Sequence, residues 1–114
     1  MGREFASSIA RWCHLLDDPD SYREHPILTA ICDKNESAWK WYSDNFQSIR
    51  LKTINYTELL ESKDVDAIYC AVPHNLHEQL YIDIINAKKH LLGEKPFGID
   101  IIANENILNV AKAN

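Results

Sequence analysis

The chain has 114 residues, of which 46% are hydrophobic and 25% charged, a balance typical of one globular domain with its own core. Its net charge is -5 and its lysines and arginines are scattered, which excludes the basic stripe of a nucleic-acid binder. No apolar run approaches the ~20 residues of a membrane span, and the N-terminus lacks a signal-peptide core. We therefore expect a cytoplasmic protein with neither nucleic acid nor membrane as a partner.

The first half of the chain alternates helical and extended patterns. Apolar residues at helical spacing predict a helix from Arg3 to Leu16, which the proline-containing Asp17-Asp-Pro-Asp20 cluster ends. A short apolar run predicts a buried strand from Ile27 to Asp33. Asn35 is predicted to cap the next helix, whose inward residues would be Ala38, Trp41, Tyr42 and Phe46.

The second half continues the alternation. A weak strand at 49–54 and a short helix after Thr57 precede a confident buried strand from Val65 to Val72. Asn75 is predicted to cap a helix from Leu76 to Lys88, with an apolar face made of Leu76, Leu80, Ile84 and Ala87. A strand at 90–92 follows, and then a helix capped by Asp100 that faces inward through Ala103, Ile107, Val110 and Ala111. Such alternation predicts an α/β fold with a parallel sheet covered on both faces.

The cysteines of the chain are read as packing residues. Cys13, Cys32 and Cys70 are odd in number, lie far apart and each sit in an apolar run. This pattern favours buried reduced thiols over a disulfide framework.

Several motifs in fixed order carry a family resemblance. They are Asp33 at a strand end, Tyr56-Thr-Glu-Leu-Leu, Val65-Asp-Ala-Ile, Val72-Pro-His-Asn-Leu-His77 and Ala87-Lys-Lys-His-Leu-Leu-Gly-Glu-Lys-Pro96. Together they resemble the nucleotide-binding domain of the glucose-fructose oxidoreductase, inositol dehydrogenase and MocA-type NAD(P)-dependent dehydrogenases. The resemblance implies a Rossmann-like doubly wound parallel sheet over residues 1–114, a nicotinamide dinucleotide cofactor, a small-molecule substrate and a homo-oligomer.

The resemblance assigns chemistry to the Glu94-Lys95-Pro96 motif. In that family the lysine of this motif lies beside the nicotinamide and the substrate oxygen, where a cation can stabilise negative charge or relay a proton. A lone lysine would otherwise be read as a solvated strand-end residue. Glu94 is expected to orient Lys95 by ion pairing, and Pro96 to fix the turn through a cis peptide bond. The alternative for both residues is that they are ordinary loop residues after the strand, with no functional role.

The residues at the end of the strand predicted at 27–33 are candidates for binding the adenosine ribose of the cofactor. Asp33 is placed to accept hydrogen bonds from the ribose hydroxyls, which favours NAD because a carboxylate repels the extra phosphate of NADP. Lys34 is adjacent and could reverse that mild preference by reaching the phosphate. Asp33 could equally be a helix-capping aspartate. Gly2 is read as the last glycine of a phosphate-binding loop.

The segment after the strand at 65–72 is expected to line the cofactor. The resemblance places Val72, Pro73, His74 and Asn75 toward its adenosine and phosphate side, and His77 near the nicotinamide ribose in a positioning role. His74 and His77, with Cys70 nearby, could also be offered as zinc ligands. The paired-cysteine or Glu-containing helix signature of zinc sites is missing, so we predict no metal.

Two departures from the family pattern shape the functional hypothesis. The chain opens at the first helix, so the central first strand and its glycine loop are missing, and no substrate domain follows Asn114. We expect a fragment that binds cofactor weakly and does not turn over alone. The alternatives are a non-catalytic remnant or regulatory module of the same scaffold, and a receiver-like or methyltransferase-like domain in which Glu94-Lys95-Pro96 has no role.

Overall fold

A computed structural model describes residues 1–11 and 26–114. The chain divides into two compact units, Met1–Leu59 and Leu60–Asn114. The first unit contains, in chain order, α1 (Gly2–Ala10), β1 (Ala30–Cys32), a 3-10 turn (Glu36–Ala38), α2 (Trp39–Asn45), β2 (Leu51–Thr53) and the start of α3 (Thr57–Glu61). The second contains β3 (Ala67–Cys70), a 3-10 turn (His74–Leu76), α4 (His77–Asn86), β4 (His90–Gly93) and α5 (Ile101–Ala113).

The first unit contains a short parallel strand pair. β1 runs beside β2 with Ala30 opposite Leu51. The predicted strand at 27–33 is shortened to three residues, and the part of the first predicted helix beyond residue 11 lies outside the described residues, as does Cys13. Asn35 caps the 3-10 turn that leads into α2 rather than α2 itself: its side chain accepts a hydrogen bond from the Ser37 amide at 3.1 Å, and α2 begins without a side-chain cap.

The second unit contains another parallel pair, in which Ala67 of β3 lies opposite His90 of β4. Its core is formed by Cys70, Tyr81, Ile84 and Ile107. Asp100 caps α5 as predicted, with its carboxylate accepting a hydrogen bond from the Ala103 amide at 2.8 Å. Within residues 1–11 and 26–114, the strands form these two pairs and no others.

Two predictions about α4 were wrong. Asn75 does not cap the helix, because residues 74–76 form a 3-10 turn that leads into α4 without a side-chain cap. The buried face is also rotated: Leu76 is exposed, whereas His77, Tyr81 and Ile84 are buried. The rotation arises because the polar groups of His77 and Tyr81 find partners inside the fold, so these two residues rather than the leucine turn inward. On α5, Ala111 is likewise exposed rather than inward.

The two cysteines among the described residues, Cys32 and Cys70, are not in disulfide bonds; Cys70 is buried and Cys32 is half-buried, in agreement with the packing role predicted for them. None of the helices in the described part of the chain has the length and apolar character needed to cross a bilayer.

Gly98 permits the close approach of α5. A Cβ atom built on this buried glycine would lie 2.8 Å from the Asn104 backbone nitrogen and 3.0 Å from the Ala103 Cβ. The Gly98 amide also donates a hydrogen bond to the Asn104 side chain at 2.9 Å. We expect Gly98→Ala to lower the free energy of unfolding by about 1–3 kcal/mol, because the backbone of α5 has to shift. Urea denaturation measures this change, and a difference below about 0.5 kcal/mol would contradict the contact.

Candidate functional site

The Glu94-Lys95-Pro96 motif forms a turn directly after β4. The Lys95 side chain is exposed, and the Lys95–Pro96 peptide bond is cis, as the resemblance implied. This position, beyond the carboxyl end of a parallel strand, is where open α/β sheets bind their ligands. The turn therefore presents one exposed cation at the edge where a ligand is expected.

Three neighbouring side chains hold the two residues that flank Lys95. The Tyr81 hydroxyl donates to the Glu94 carbonyl oxygen at 3.0 Å. The His77 Nδ1 lies 2.8 Å from the Pro96 carbonyl oxygen. The Tyr69 hydroxyl donates to the Glu94 carboxylate. The backbone is thus fixed on both sides of Lys95, and the exposed lysine side chain is presented from an anchored turn.

Glu94 does not form the ion pair that the sequence predicted. Its carboxylate is bonded by the Tyr69 hydroxyl, and no contact within 4.0 Å joins it to the Lys95 ammonium among the residues described. Hydrogen bonding from Tyr69 lowers the pKa of the Glu94 carboxyl below its ordinary 4.5, and the backbone amide and charge of Lys95 act in the same direction. Glu94 is therefore an anchored anion.

We expect Tyr69→Phe to change how stability depends on pH. A carboxyl whose folded-state pKa is lowered stabilises the fold above its unfolded-state value of 4.5, and that stabilisation is lost as the pH falls through the lower folded-state pKa. Without the Tyr69 hydroxyl the Glu94 pKa moves back toward its ordinary value. The variant should be less stable than the parent chain at about pH 7, and the difference should shrink as the pH falls through the folded-state pKa of Glu94, as followed by urea denaturation.

Glu94→Gln supplies the matched comparison for Tyr69→Phe. If the two groups act through one hydrogen bond, the double variant should lose less stability than the sum of the single losses. Strict additivity at neutral pH would show that the Tyr69 hydroxyl does not stabilise the fold through Glu94.

The segment after β3 leads into α4 along a half-exposed path. Pro73 precedes the 3-10 turn, whose Leu76 amide donates to the Pro73 carbonyl oxygen at 2.9 Å. Pro73, His74 and Asn75 are exposed, and Val72 is partly buried. The first three are thus accessible to a ligand, whereas Val72 contributes its carbonyl oxygen to the ring of His77.

His77 lies on the first turn of α4, as predicted, but its ring is fully buried. Its Nε2 lies 3.0 Å from the Val72 carbonyl oxygen, and the ring stacks on Tyr81 at 4.8 Å between centroids. Both ring nitrogens are occupied by main-chain oxygens, so this histidine is not free to ligate a metal. In residues 1–11 and 26–114, no three His, Cys, Asp or Glu side chains gather into a metal site.

The first unit brings the other predicted residues to the start of α1 and the end of β1. Asp33 and Lys34 are exposed directly after β1, and the Asp33 Oδ1 accepts a hydrogen bond from the Asn35 amide at 2.8 Å. Asn35 rather than Asp33 caps the 3-10 turn that follows, so Asp33 does not have the capping role that was its alternative interpretation. A carboxylate retains acceptor capacity beyond one such bond, which suits ribose hydroxyls.

Gly2 is the first residue of α1 and lies against Tyr42. A Cβ at Gly2 would lie 2.7 Å from the Tyr42 hydroxyl oxygen, so this glycine leaves room for that side chain. Burial raises the pKa of the Tyr42 hydroxyl, with Arg3 opposing and Asp33 reinforcing the shift. The start of α1, Tyr42 and the end of β1 therefore form one local cluster.

Cys32 precedes this cluster on β1. Burial, followed by the charges of Asp33 and Glu58, raises the pKa of its thiol. Because the thiolate is the reactive form of cysteine, the raised pKa disfavours a nucleophilic role and agrees with the packing role predicted for Cys32.

Three tyrosines belong to these sites although sequence reasoning assigned them no part in a functional site: Tyr42, Tyr69 and Tyr81. The spacing of four between His77 and Tyr81 marks one helical face, and this was the available signal. The local sequence does not indicate the hydrogen bond between Tyr69 and Glu94, because the two residues come into contact only when β3 and β4 pair.

Comparisons with known proteins agree on one family. A family model described as an oxidoreductase family with an NAD-binding Rossmann fold, GFO_IDH_MocA, matches residues 4–114. An uncharacterized oxidoreductase of Bacillus subtilis, YrbE, is 35% identical over 77 residues, which cover 68% of this chain and 22% of that protein.

Solved structures give the same result. The crystal structure of scyllo-inositol dehydrogenase from Lactobacillus casei with bound NAD(H) and scyllo-inositol matches with a TM-score of 0.69 and 26% identity, over 75% of this chain and 25% of that one. KijD10, a 3-ketoreductase from Actinomadura kijaniata in complex with TDP-benzene and NADP, matches with a TM-score of 0.66 and 32% identity, over 75% and 27%. The chain thus spans about a quarter of the length of these relatives.

Proposed function

We propose that this chain, which belongs to the oxidoreductase family with an NAD-binding Rossmann fold, forms the NAD(P)-binding part of an enzyme that transfers hydride to or from a sugar or polyol-like substrate. The reacting carbon would bear a hydroxyl or carbonyl group. The observation that carries the proposal is the exposed Lys95 on a turn held by Tyr81, His77 and Tyr69. A solvated strand-end lysine does not require three buried or half-buried side chains to fix the residues on either side of it.

The residues present suit a nicotinamide dinucleotide. In the first unit, the exposed carboxylate of Asp33 and the exposed ammonium of Lys34 follow β1. In the second unit, the exposed residues 73–75 follow β3 and the exposed Lys95 follows β4. We assign cofactor binding for each unit by itself: in the first unit to Gly2, Asp33 and Lys34, and in the second unit to Val72, Pro73, His74, Asn75, Glu94, Lys95 and Pro96. His77 acts from the interior by holding Val72 and Pro96.

Lys95 is the proposed catalytic residue. The nicotinamide, when bound, supplies the hydride acceptor or donor. The Lys95 ammonium donates a hydrogen bond to the substrate oxygen, so that negative charge developing there is stabilised. In the reductive direction the Lys95 ammonium would give a proton to the substrate oxygen, and in the oxidative direction the neutral Lys95 amine would accept the hydroxyl proton and become the ammonium. Glu94, whose carboxyl pKa is lowered, keeps a negative charge next to Lys95 in the chain.

For the cofactor we propose a preference for NAD over NADP. The Asp33 carboxylate accepts from ribose hydroxyls and repels a phosphate at the same position. The neighbouring Lys34 attracts that phosphate, so the preference is small. The relatives divide on this point, since one structure holds NAD(H) and another holds NADP.

Titration of the purified chain with NADH, followed by fluorescence, tests binding. A dissociation constant below ~1 mM, a free energy near -4 kcal/mol, is expected for a cofactor-binding domain. No saturation up to about 10 mM would support the non-catalytic remnant instead. Asp33→Asn keeps the acceptor for the Asn35 amide and removes the negative charge. The variant should therefore show a smaller difference between the dissociation constants of NADH and NADPH. The exposed Asp66→Asn serves as its control.

A further inference from the structure

The ring of His77 faces two hydrogen-bond acceptors. Its Nδ1 lies 2.8 Å from the Pro96 carbonyl oxygen, and its Nε2 lies 3.0 Å from the Val72 carbonyl oxygen. A carbonyl oxygen can only accept, and a neutral imidazole carries a single N–H group. A neutral ring would therefore direct one nitrogen lone pair at a carbonyl oxygen inside a fully buried site.

We propose that His77 is a buried imidazolium that donates from both ring nitrogens and so clamps the segment after β3 to the turn that presents Lys95. With two N–H groups, both carbonyl oxygens are satisfied and neither nitrogen is left without a partner. His77 is a positioning residue in this arrangement, because it contacts the main-chain carbonyl oxygen of Pro96 rather than a reacting atom.

The surroundings of the ring are suited to a cation. The faces of His77 and Tyr81 stack at 4.8 Å with an interplanar angle of 21°, which places the charge over an electron-rich ring. The two carbonyl dipoles point their negative ends at the N–H groups, and such charge-assisted bonds are stronger than neutral ones. Burial and the N-terminal dipole of α4 oppose the charge, so the two bonds are required to retain it.

The titratable groups around the ring come from each element packed against it. His74, on the 3-10 turn, meets the ring edge-on at 5.3 Å. Tyr81, on α4, contacts its face, and Cys70 of β3 and Glu94 after β4 both bear on the Tyr81 hydroxyl. Glu94, whose carboxyl pKa is lowered, is the acidic group of this set.

Nitrogen-15 NMR of the histidine rings in the intact chain tests the proposal directly. At about pH 7 the His77 signals, assigned by their loss in His77→Gln or by backbone correlation if that variant does not fold, should show two protonated nitrogens. The exposed His74 and His90 serve as internal references. A spectrum with one protonated and one unprotonated nitrogen at His77 would overturn the imidazolium assignment.

Two amide substitutions separate the arms of the clamp. A glutamine nitrogen takes the place of Nε2 and an asparagine nitrogen that of Nδ1, whereas phenylalanine keeps the ring and donates nothing. Hydrogen exchange should quicken at least about tenfold at residues 72–76 and 94–98 in His77→Phe. Gln should restore protection mainly at 72–76 and Asn mainly at 94–98. Equal exchange in all three variants, or no change in His77→Phe, would refute the clamp.

These measurements need no cofactor. A failed NADH titration with two protonated nitrogens on His77 would overturn the proposed function alone, and a neutral ring with normal NADH binding would overturn this inference alone. The exposed His90→Phe variant, on β4, controls for the replacement of a histidine by phenylalanine outside the clamp.

Discussion

In the proposed hydride-transferring enzyme, the Lys95→Met variant is expected to lose turnover by about 10²–10³-fold, because the substrate oxygen loses its charged hydrogen-bond donor and its proton relay. Methionine preserves the length of the side chain and removes the cation. The exposed position of Lys95 predicts little change in stability, and the NADH dissociation constant should change by less than about threefold. Steady-state kinetics with a sugar or polyol substrate, together with the NADH titration, measure both quantities.

Two further variants sharpen this test. Lys95→Arg keeps the charge but cannot release a proton, so partial recovery of turnover would assign the role to charge stabilisation and continued loss would assign it to proton relay. Lys112→Met, near the end of α5, removes another exposed lysine and should leave turnover unchanged. Turnover of Lys95→Met within about threefold of the parent would contradict the catalytic assignment and revive a domain type in which the motif has no role.

The fold class and the family were predictable from sequence because they depend on local patterns. Each predicted strand has a counterpart, the two strand pairs are parallel, and the match to the family model over residues 4–114 confirms the resemblance. Element ends were less well predicted: the strand at 65–72 is reduced to Ala67–Cys70. The apolar pattern reports burial, which continues beyond the last backbone hydrogen bond of a short strand.

The candidate site was only partly predictable, for a physical reason. Asp33 and Lys95 were found because strand ends and a family motif are visible in sequence, although their roles remain proposals. The rotated face of α4 was missed because helical periodicity counts apolar residues, and a histidine is not counted as core. His77 is buried because its ring nitrogens are bonded by the carbonyl oxygens of Pro96 and Val72. Pro96 is far away in sequence, and Val72 lies outside the helix, so helical periodicity indicates neither contact.

Tyr81→Ala should produce the largest loss of stability, about 3–5 kcal/mol in the free energy of unfolding by urea denaturation. Tyr81 is fully buried, stacks on His77 and contacts Phe97 at 5.1 Å between ring centroids. Alanine would leave a cavity under the turn of Lys95 and remove the donor to the Glu94 carbonyl. Tyr81→Phe keeps the ring and removes only the donor, so it should cost about 1–3 kcal/mol.

Gly93 distinguishes packing against Tyr81 from a general weakening of the fold. A Cβ at Gly93 would lie 2.8 Å from the Tyr81 ring, so Gly93→Ala should be destabilising by about 1–3 kcal/mol in the parent chain. In the Tyr81→Ala background the obstructing ring is gone, and the same substitution should cost much less. If the losses in free energy of unfolding for Gly93→Ala and Tyr81→Ala are additive in the double variant, the two residues are not in contact. That result would also contradict the anchoring of the turn by Tyr81.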